Sequence, residues 1–359
     1  MRKQVAKKKV AIVYNEPVVP SRYDTTGEKK AVLGVLDAVE AVYQALVELG
    51  YTVTRLPLAL PIEQAVKKLR ALKVDLVFNL FEGFPGFPET EVLIPETLTA
   101  MGLPFTGCRS NIIRLCLDKS RVKEILKIRA IPTPDSQLLT PETLNTFRLE
   151  FPCIVKPFGE DASHGVTGDS VVSDPASLER QVKLISGSYG GKALVEKFVD
   201  GREFNVTVLG KSQYTVFPIS EIVFSLPEGM PKILTFAAKW EENTPYYDGT
   251  KAICPADITA EEEQRIKDTA LSVFRMLGCS GYARVDMRQD QRTGEINVIE
   301  VNPNPDISPG VGAVRQSAAA GMTYAQFIAR IIEIALEKEP VAESGQTIPD
   351  APTPLLLIV

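Results

Sequence analysis

The chain has 359 residues, 45% of them apolar, and a net charge of −5. That is enough for two or three packed domains, excludes disordered and fibrous classes, and gives no basic footprint for nucleic acid. Five cysteines stand singly without CxxC spacing, which argues against zinc ribbons, redox motifs and a disulfide framework and points to a reducing cytoplasm. No apolar stretch has the length or flanks of a signal peptide or a membrane span, so neither secretion nor membrane insertion is expected. The single histidine, His164, leaves little room for Ser-His-Asp or Cys-His relays and multi-histidine metal sites. Chemistry must rest on lysines, arginines, carboxylates and a bound ion.

In chain order, "KKVAIVYNEP" is an apolar run ending in turn residues, the mark of a buried parallel strand. The spacing predicts a helix from Ala31 to Leu49, stopped by Gly50, then a strand at "YTVTRLPL", a helix over Pro61 to Leu72 and a strand at "VDLVFNLFEG". Strand, helix, strand, helix, strand implies an open α/β sheet. Glu16 and Glu82 follow its first and third strands, where ligands gather, and read equally well as solvated loop carboxylates. No GxGxxG follows the first strand, so a dinucleotide domain is not indicated.

A helix over Leu117 to Lys127 leads to a smaller α+β block with strands at "FPCIVKPF", "KALVEKFV" and "REFNVTVLG" and a helix over Asp174 to Ser188. The last block holds "EIVFS", a helix over Ala260 to Leu277, the strands "GYARVDMRQ" and "EINVIEVNP", and a helix near Tyr324 to Glu337. There is no internal repeat. Domains are expected at 1–114, 115–203 and 204–340, with 341–359 a loose Pro- and Ser-containing tail.

The chemistry concentrates in the last two strands. In "NVIEVNPNPD", Glu300 and Asn302 are two apart and so share a strand face. A turn at Gly294 would bring Asp286 of "GYARVDMR" beside them. Two carboxylates and an amide oxygen, without histidine or thiolate, select Mg²⁺ or Mn²⁺, which normally shares its shell with phosphates. Lys156 sits on an apolar strand, where an ammonium is costly unless it meets an anion, and is followed by the small, polar loop "GEDASHGV". Each lysine alone reads as a solvated charge; several together with a metal site imply a nucleoside triphosphate.

With these residues in place, the chain resembles the ATP-grasp enzymes of the D-alanine–D-alanine ligase branch from about Phe78 to Leu336. The resemblance rests on "MGLPFTG", "LDKSRVKEIL", "VKP", "VEKFVDGREFNVTVL", "AAKW", "ICPA", "GYARVDM" and "VIEVNPNP", in that order. It implies an N-terminal open parallel α/β domain, a small central lid domain and a C-terminal mixed-sheet domain, with ATP between two antiparallel sheets. By the same resemblance Lys119, Lys156 and Lys239 would hold phosphates. Glu196, Lys197 and Val199 would form the adenine hinge, Glu203 would accept from the ribose, and Ser163 and Ile299 would complete the ATP site. Asp286, Glu300 and Asn302 would ligate magnesium, while Arg284 and Lys239 would serve catalysis.

The activity implied is ATP-dependent joining of a carboxylate to an amine through an acyl phosphate, with a lid at Gly159 to Gly168 excluding water. ATP and small carboxylate and amine substrates are the expected partners; whether the chain forms a homodimer is open. Departures from the branch cluster on the substrate side. "YNEPVVPSRYD" replaces a glycine-rich turn, "NLFEG" a histidine-containing one, Ala162 a lid serine, Trp240 a tyrosine, and "NPDISPGVG" a small-residue turn. The expectation is therefore a substrate pair other than two D-alanines, with D-alanine–D-alanine synthesis the alternative and a non-catalytic nucleotide-binding protein a second one. Candidate substrate contacts are Glu16, Glu82, Trp240 and Asp306. Asp306 reads equally as the cap of the turn after it, and His164 reads either as a phosphate contact or as a solvated lid residue.

Overall fold

A computed structural model describes residues 7–17, 30, 33–84, 86–158, 163–189 and 191–337. Ala162, the first part of the expected lid and the 341–359 tail lie outside the described residues. Strands β1 (Lys9–Asn15), β2 (Thr52–Leu58) and β3 (Leu76–Leu80) form a parallel sheet of order β2-β1-β3. Parallel strands need crossovers, supplied by helices α1 (Val35–Glu48) and α2 (Ile62–Arg70). Glu16 and Glu82 consequently emerge beyond strand ends on one edge of the molecule.

After α3 (Leu93–Ala100) come α4 (Ser110–Leu117) and α5 (Lys119–Ile128). The single helix expected over Leu117 to Lys127 is interrupted at Asp118, whose Oδ1 accepts from Arg121 N at 2.9 Å and caps α5. Lys119 thereby becomes the first helical residue. Both helices bury Ile112, Ile113, Val122 and Leu126 in one core with Phe204, Phe274 and Val285. They therefore pack with the C-terminal sheet, although α5 falls in the segment expected to build the lid.

The lid is a four-stranded antiparallel sheet of order β4-β7-β5-β6, comprising β4 (Ser136–Leu139), β5 (Cys153–Pro157), β6 (Val171–Val172) and β7 (Ala193–Lys197). Helix α6 (Pro175–Ser188) covers it and closes a separate core around Cys153, Val155, Val182 and Val195. Cys153 is fully buried, and burial pushes its thiol up to about 11. Three residues, Phe198 to Asp200, join β7 to β8 (Gly201–Gly210) of the large sheet.

That large sheet runs β11-β10-β8-β12-β13 with β9 also on β8: β9 (Tyr214–Val216), β10 (Ser220–Phe224), β11 (Thr250–Ile253), β12 (Gly281–Asp290) and β13 (Ile296–Asn302). Every pairing in it is antiparallel, which narrows the mixed sheet expected there. One face is covered by α9 (Ala260–Met276) and the other by α10 (Gly312–Ala319) and α11 (Tyr324–Leu336). The short helices α7 (Phe236–Trp240) and α8 (Pro245–Gly249) lie before β11.

Helix α11 also packs on α1, so Val39, Val42 and Leu46 share a core with Phe78, Tyr282, Phe327 and Ile331. The parallel domain is thus anchored to the C-terminal block by common apolar burial. Among the described residues no single helix is long and apolar enough to cross a membrane. The pair α10 and α11 passes by composition but is bent by 105°, and its apolar side chains fill this core.

Candidate active site

The site is built by the alternation of β8, β12 and β13. In an antiparallel pair, residues directly opposite project to the same face. Asp286 lies opposite Glu300 on one side and Asn205 on the other, while Arg284 lies opposite Asn302 and Thr207. The register slips by one residue after Asp286, so that Met287 meets Val298 and Ile299 is the extra residue of a bulge. Arg288 lies opposite Glu203. One polar face therefore carries Glu203, Asn205, Arg284, Asp286, Arg288, Glu300 and Asn302, while the opposite face buries Phe204, Val206, Val285 and Met287.

Charges on this face are paired. Arg284 donates to both oxygens of Asp286, at 2.7 and 2.8 Å, and Asn205 Nδ2 adds a bond of 2.7 Å to Oδ1. Burial would lower the Arg284 pKa, but Asp286, Glu300 and Asp306 together raise it, so the guanidinium is firmly charged. Lys119 Nζ is 3.3 Å from Glu300 Oε1. Arg288 Nη1 donates to Glu203 at 3.1 Å. Burial pushes the Glu203 carboxyl up, helped by Asp286 and opposed by Arg288.

The lid adds a second cluster. Glu196, only 1% exposed, lies 2.5 Å from Lys123 and 2.7 Å from Lys156. Burial alone would raise its pKa, yet the two ammonium groups outweigh it and hold the carboxyl down at about 2. Lys123, almost fully enclosed, is lowered by burial despite Glu196, whereas in Lys156 burial is outweighed by Glu196, Glu300 and Glu203 and the pKa rises. Glu196 thus ties α5 to strands β5 and β7. Lys197 is exposed and Val199 buried, and the Lys197 and Phe198 backbone N–H groups bond Asp135 O and Pro152 O at 2.8 and 2.9 Å. The expected hinge is the physical link between the two sheets.

Lys239, at the end of α7, makes no ion pair among the described residues; burial and then Arg284 lower its pKa. Trp240 beside it stacks toward Phe236 at 6.5 Å, and Phe236 toward His164 of the lid turn at 5.0 Å. Trp240 Nε1 is buried without an acceptor among the described residues. Ser163 adopts φ 64° at the start of that turn. Ile299 lines a small cavity with Lys119, Lys123 and Glu300.

The structure gathers the expected phosphate, ribose and metal residues around one cleft, and treats the substrate candidates unevenly. Asp306 is exposed, but its Oδ1 accepts from Ser308 N and Oγ at 2.7 and 2.6 Å, so it caps the turn. Glu82 is exposed with its N–H on Asn15 Oδ1 at 2.9 Å, and both it and Asp306 act on Tyr282, whose pKa burial raises. Glu16 is exposed at the end of β1, where its backbone N–H donates to Leu58 O.

Asp286, Glu300 and Asn302 offer oxygen donors on one face, a set that suits Mg²⁺ or Mn²⁺. Among the described residues no three His, Cys, Asp or Glu side chains gather into a metal group. Two protein carboxylates plus an amide fit an ion that takes its remaining ligands from phosphates and water.

Four residues of the site escape a motif reading. Lys123 follows Lys119 by one helical turn, a spacing that puts both on one face of α5. Asn205 and Arg288 continue the period-two polar series of their strands. Asn304 extends the Glu300, Asn302 alternation: its N–H donates to Asn302 Oδ1 at 3.1 Å and its Nδ2 reaches Phe81 O and Glu91 Oε1 at 3.2 Å each. It thereby ties the end of β13 to the parallel domain.

A parallel domain, an antiparallel lid and a large antiparallel sheet with the polar face between them define an ATP-grasp fold. The profile for the D-ala D-ala ligase C-terminus matches residues 133–333, and the chain belongs to the D-alanine–D-alanine ligase family. It is 35% identical over 72% of its length to an uncharacterized protein of Sinorhizobium fredii, covering 74% of that chain. It is 32% identical over 84% of its length to the D-alanine–D-alanine ligase of Sphingopyxis alaskensis, covering 91% of it. The structure of the VanG D-Ala:D-Ser ligase of Enterococcus faecalis superposes with a TM-score of 0.70 at 21% identity, over 92% of this chain and all of that one. The D-alanine–D-alanine ligase of Bacillus anthracis complexed with ATP gives the same score and identity, over 92% and 98%.

Proposed function

We propose that the protein is a cytoplasmic ATP-dependent carboxylate–amine ligase. It forms an amide or peptide bond through an acyl phosphate, releases ADP and phosphate, and acts on an amino acid or small peptide other than two D-alanines. The observation that carries this reading is the single polar face of β8, β12 and β13, with Lys119, Lys156 and Lys239 around it.

A carboxylate is a poor electrophile for an amine. Its oxygen first attacks the γ-phosphorus of ATP and ADP leaves; the amine then attacks the acyl carbon, the acyl C–O bond breaks, and phosphate and a proton depart. Negative charge grows on phosphoryl and then on carbonyl oxygens, and preorganised cations in a cleft stabilise it best. Lys156, positioned by Glu196, and Lys119 would hold phosphate oxygens. Arg284, beside Asp286, would steady the reacting carboxylate and its tetrahedral adduct. Lys239 brings an ammonium that makes no ion pair among the described residues. Glu203, kept in place by Arg288, would accept from the ribose. Magnesium, held by Asp286, Glu300 and Asn302, would neutralise phosphate charge. The His164, Phe236 and Trp240 rings lie in a row from the lid turn to the residue beside Lys239, a contact through which the lid would shield the acyl phosphate from water.

Purified protein with ATP, Mg²⁺ and pools of amino acids is expected to release ADP and phosphate only with a matched pair, and to stop when the cation is chelated. Formation of AMP and pyrophosphate would rule out the acyl-phosphate route. The relatives' names favour a second reading, true D-alanine–D-alanine ligation; D-alanine as sole amino acid would then suffice. Trp240 next to Lys239 and the Asp306-capped turn argue for a different pair.

A further inference from the structure

The chain leaving β13 reads Asn302, Pro303, Asn304, Pro305, Asp306. Proline fixes its own φ, has no N–H and keeps the residue before it extended. The Asn304 N–H is therefore the only backbone donor between Asn302 and Asp306, and it donates to Asn302 Oδ1 at 3.1 Å. Because a backbone N–H can only donate, the bond fixes which end of the Asn302 amide it meets. An amide oxygen accepts at two positions, so Oδ1 can hold this bond and face a cation as well.

Asn304 is itself held from two directions. It is buried between two buried prolines. Its Nδ2 donates to Phe81 O and to Glu91 Oε1, at 3.2 Å each, and its Oδ1 accepts from Tyr282 OH at 3.3 Å. A carbonyl and a carboxylate at one end and a hydroxyl donor at the other leave the amide a single orientation. Tyr282 is fully buried on β12, the strand of Arg284 and Asp286. Phe81 and Glu91 lie between β3 and α3, in the parallel domain. The backbone position of Asn304, and with it the donor that meets Asn302, is thus set by both blocks.

Resting on the ligase reading above and its cation site of Asp286, Glu300 and Asn302, we infer that Asn304 is the positioning residue of that site. It aims Asn302 Oδ1 at the ion, and its bonds to Phe81 and Glu91 make the parallel domain, which supplies none of the three ligands, a determinant of cation affinity. Removing a group that orients a metal ligand costs roughly 10–100-fold in affinity.

The test needs no turnover: Mn²⁺ is titrated into the full chain with equimolar ADP, and the bound ion is read from the enhanced relaxation of water protons. Asn304→Ala keeps the backbone N–H but removes its anchor, and is expected to raise the half-saturating Mn²⁺ concentration about tenfold. Tyr282→Phe removes one anchoring bond with little change of shape and is expected to raise it about threefold. A residue acting only through Asn302 adds nothing once Asn302 is gone, so Asn302→Ala and the Asn302→Ala, Asn304→Ala double variant are expected to bind Mn²⁺ equally. A merely structural Asn304 would weaken the double variant further, and that result overturns the inference, as does wild-type affinity in Asn304→Ala. Should Asn304→Ala fail to fold, Tyr282→Phe with and without Asn302→Ala decides in the same way. Wild-type affinity in Asn302→Ala would remove Asn302 from the ligand set and overturn the inference with it. If the ion binds as expected but no amine supports ADP release, the ligase reading alone fails.

Discussion

Replacing Glu196 by glutamine removes the carboxylate that Lys123 and Lys156 share across the junction between lid and large sheet. A buried carboxyl held at about 2, against its ordinary 4.5, contributes on the order of 3 kcal/mol at neutral pH. Breaking a buried ion pair from one side independently predicts about 3–5 kcal/mol, because the enclosed Lys123 ammonium is left without compensation. The sign is fixed by linkage: the folded pKa is depressed, so the stabilisation is complete above pH 4.5 and lost as pH falls toward 2. Urea unfolding followed through the single tryptophan, Trp240, reports on α7, which packs beside the lid through Ala237 and Ala238. Glu196→Gln is expected to lose roughly 3 kcal/mol at pH 7 and only about 1 kcal/mol at pH 3. A variant as stable as wild type at pH 7, or a deficit that does not change between pH 7 and pH 3, would refute the shared-carboxylate reasoning.

Lys239 should behave in the opposite sense. Its folded pKa lies below the ordinary value because of burial and Arg284, so the charged form costs stability at neutral pH and stability rises as pH climbs through that lowered value. Lys239→Met is expected to be at least as stable as wild type by thermal unfolding at pH 7, with ADP release reduced by about 10²-fold; a clear drop in Tm would contradict this. Glu300→Gln should shift the Mg²⁺ concentration needed for half-maximal ADP release upward at least tenfold, and coincident titrations would remove Glu300 from the metal set. Gly281→Ala tests the approach of β12 to the loop before α4: with φ 81° and a Cβ 2.9 Å from Gly107 O, it should cost about 1–3 kcal/mol in urea unfolding.

Long periodic elements were legible because their burial follows local spacing: β1, β3, β8, β12, β13, α9 and α11 fall within a few residues of where the pattern puts them. Short elements were not. Helix α7 has five residues, too few for a helical period, and exists because Thr235 caps it by accepting from Ala238 N. Helix α10 lacks a capped start and is fixed instead by Gln316 on β8, a long-range bond that no local window contains. The strand face of the site could be read from alternation alone, but the identity of each partner could not. That Asp286 is held by Arg284 two residues away on its own strand, and that Glu196 points between two lysines, depend on rotamers and register. Asp306 shows the reverse: an aspartate followed two residues later by serine forms a turn locally, and the structure gives it that role.

The pairing of charges bears on how nucleotide and cation must arrive. Lys119 is held by Glu300, Lys156 by Glu196 and Arg284 by Asp286, so most of the cations facing the cleft already have carboxylate partners. The two sets differ in what can release them. Glu196 lies deep and also holds Lys123, so Lys156 can donate to phosphate oxygens only with the hydrogens it does not give to Glu196; the pair stays and orients the ammonium. Asp286 and Glu300 are the carboxylates proposed for the metal, and for Arg284 or Lys119 to turn to a phosphate or an acyl oxygen, each carboxylate would have to take another cation. Nucleotide alone would enter against two intact ion pairs, and a divalent ion alone would take the carboxylates away from a guanidinium and an ammonium in a partly desolvated site. Each is unfavourable by the same desolvation argument. Simultaneous arrival satisfies all four groups, which favours the metal–nucleotide complex over either component as the species this face is built to bind.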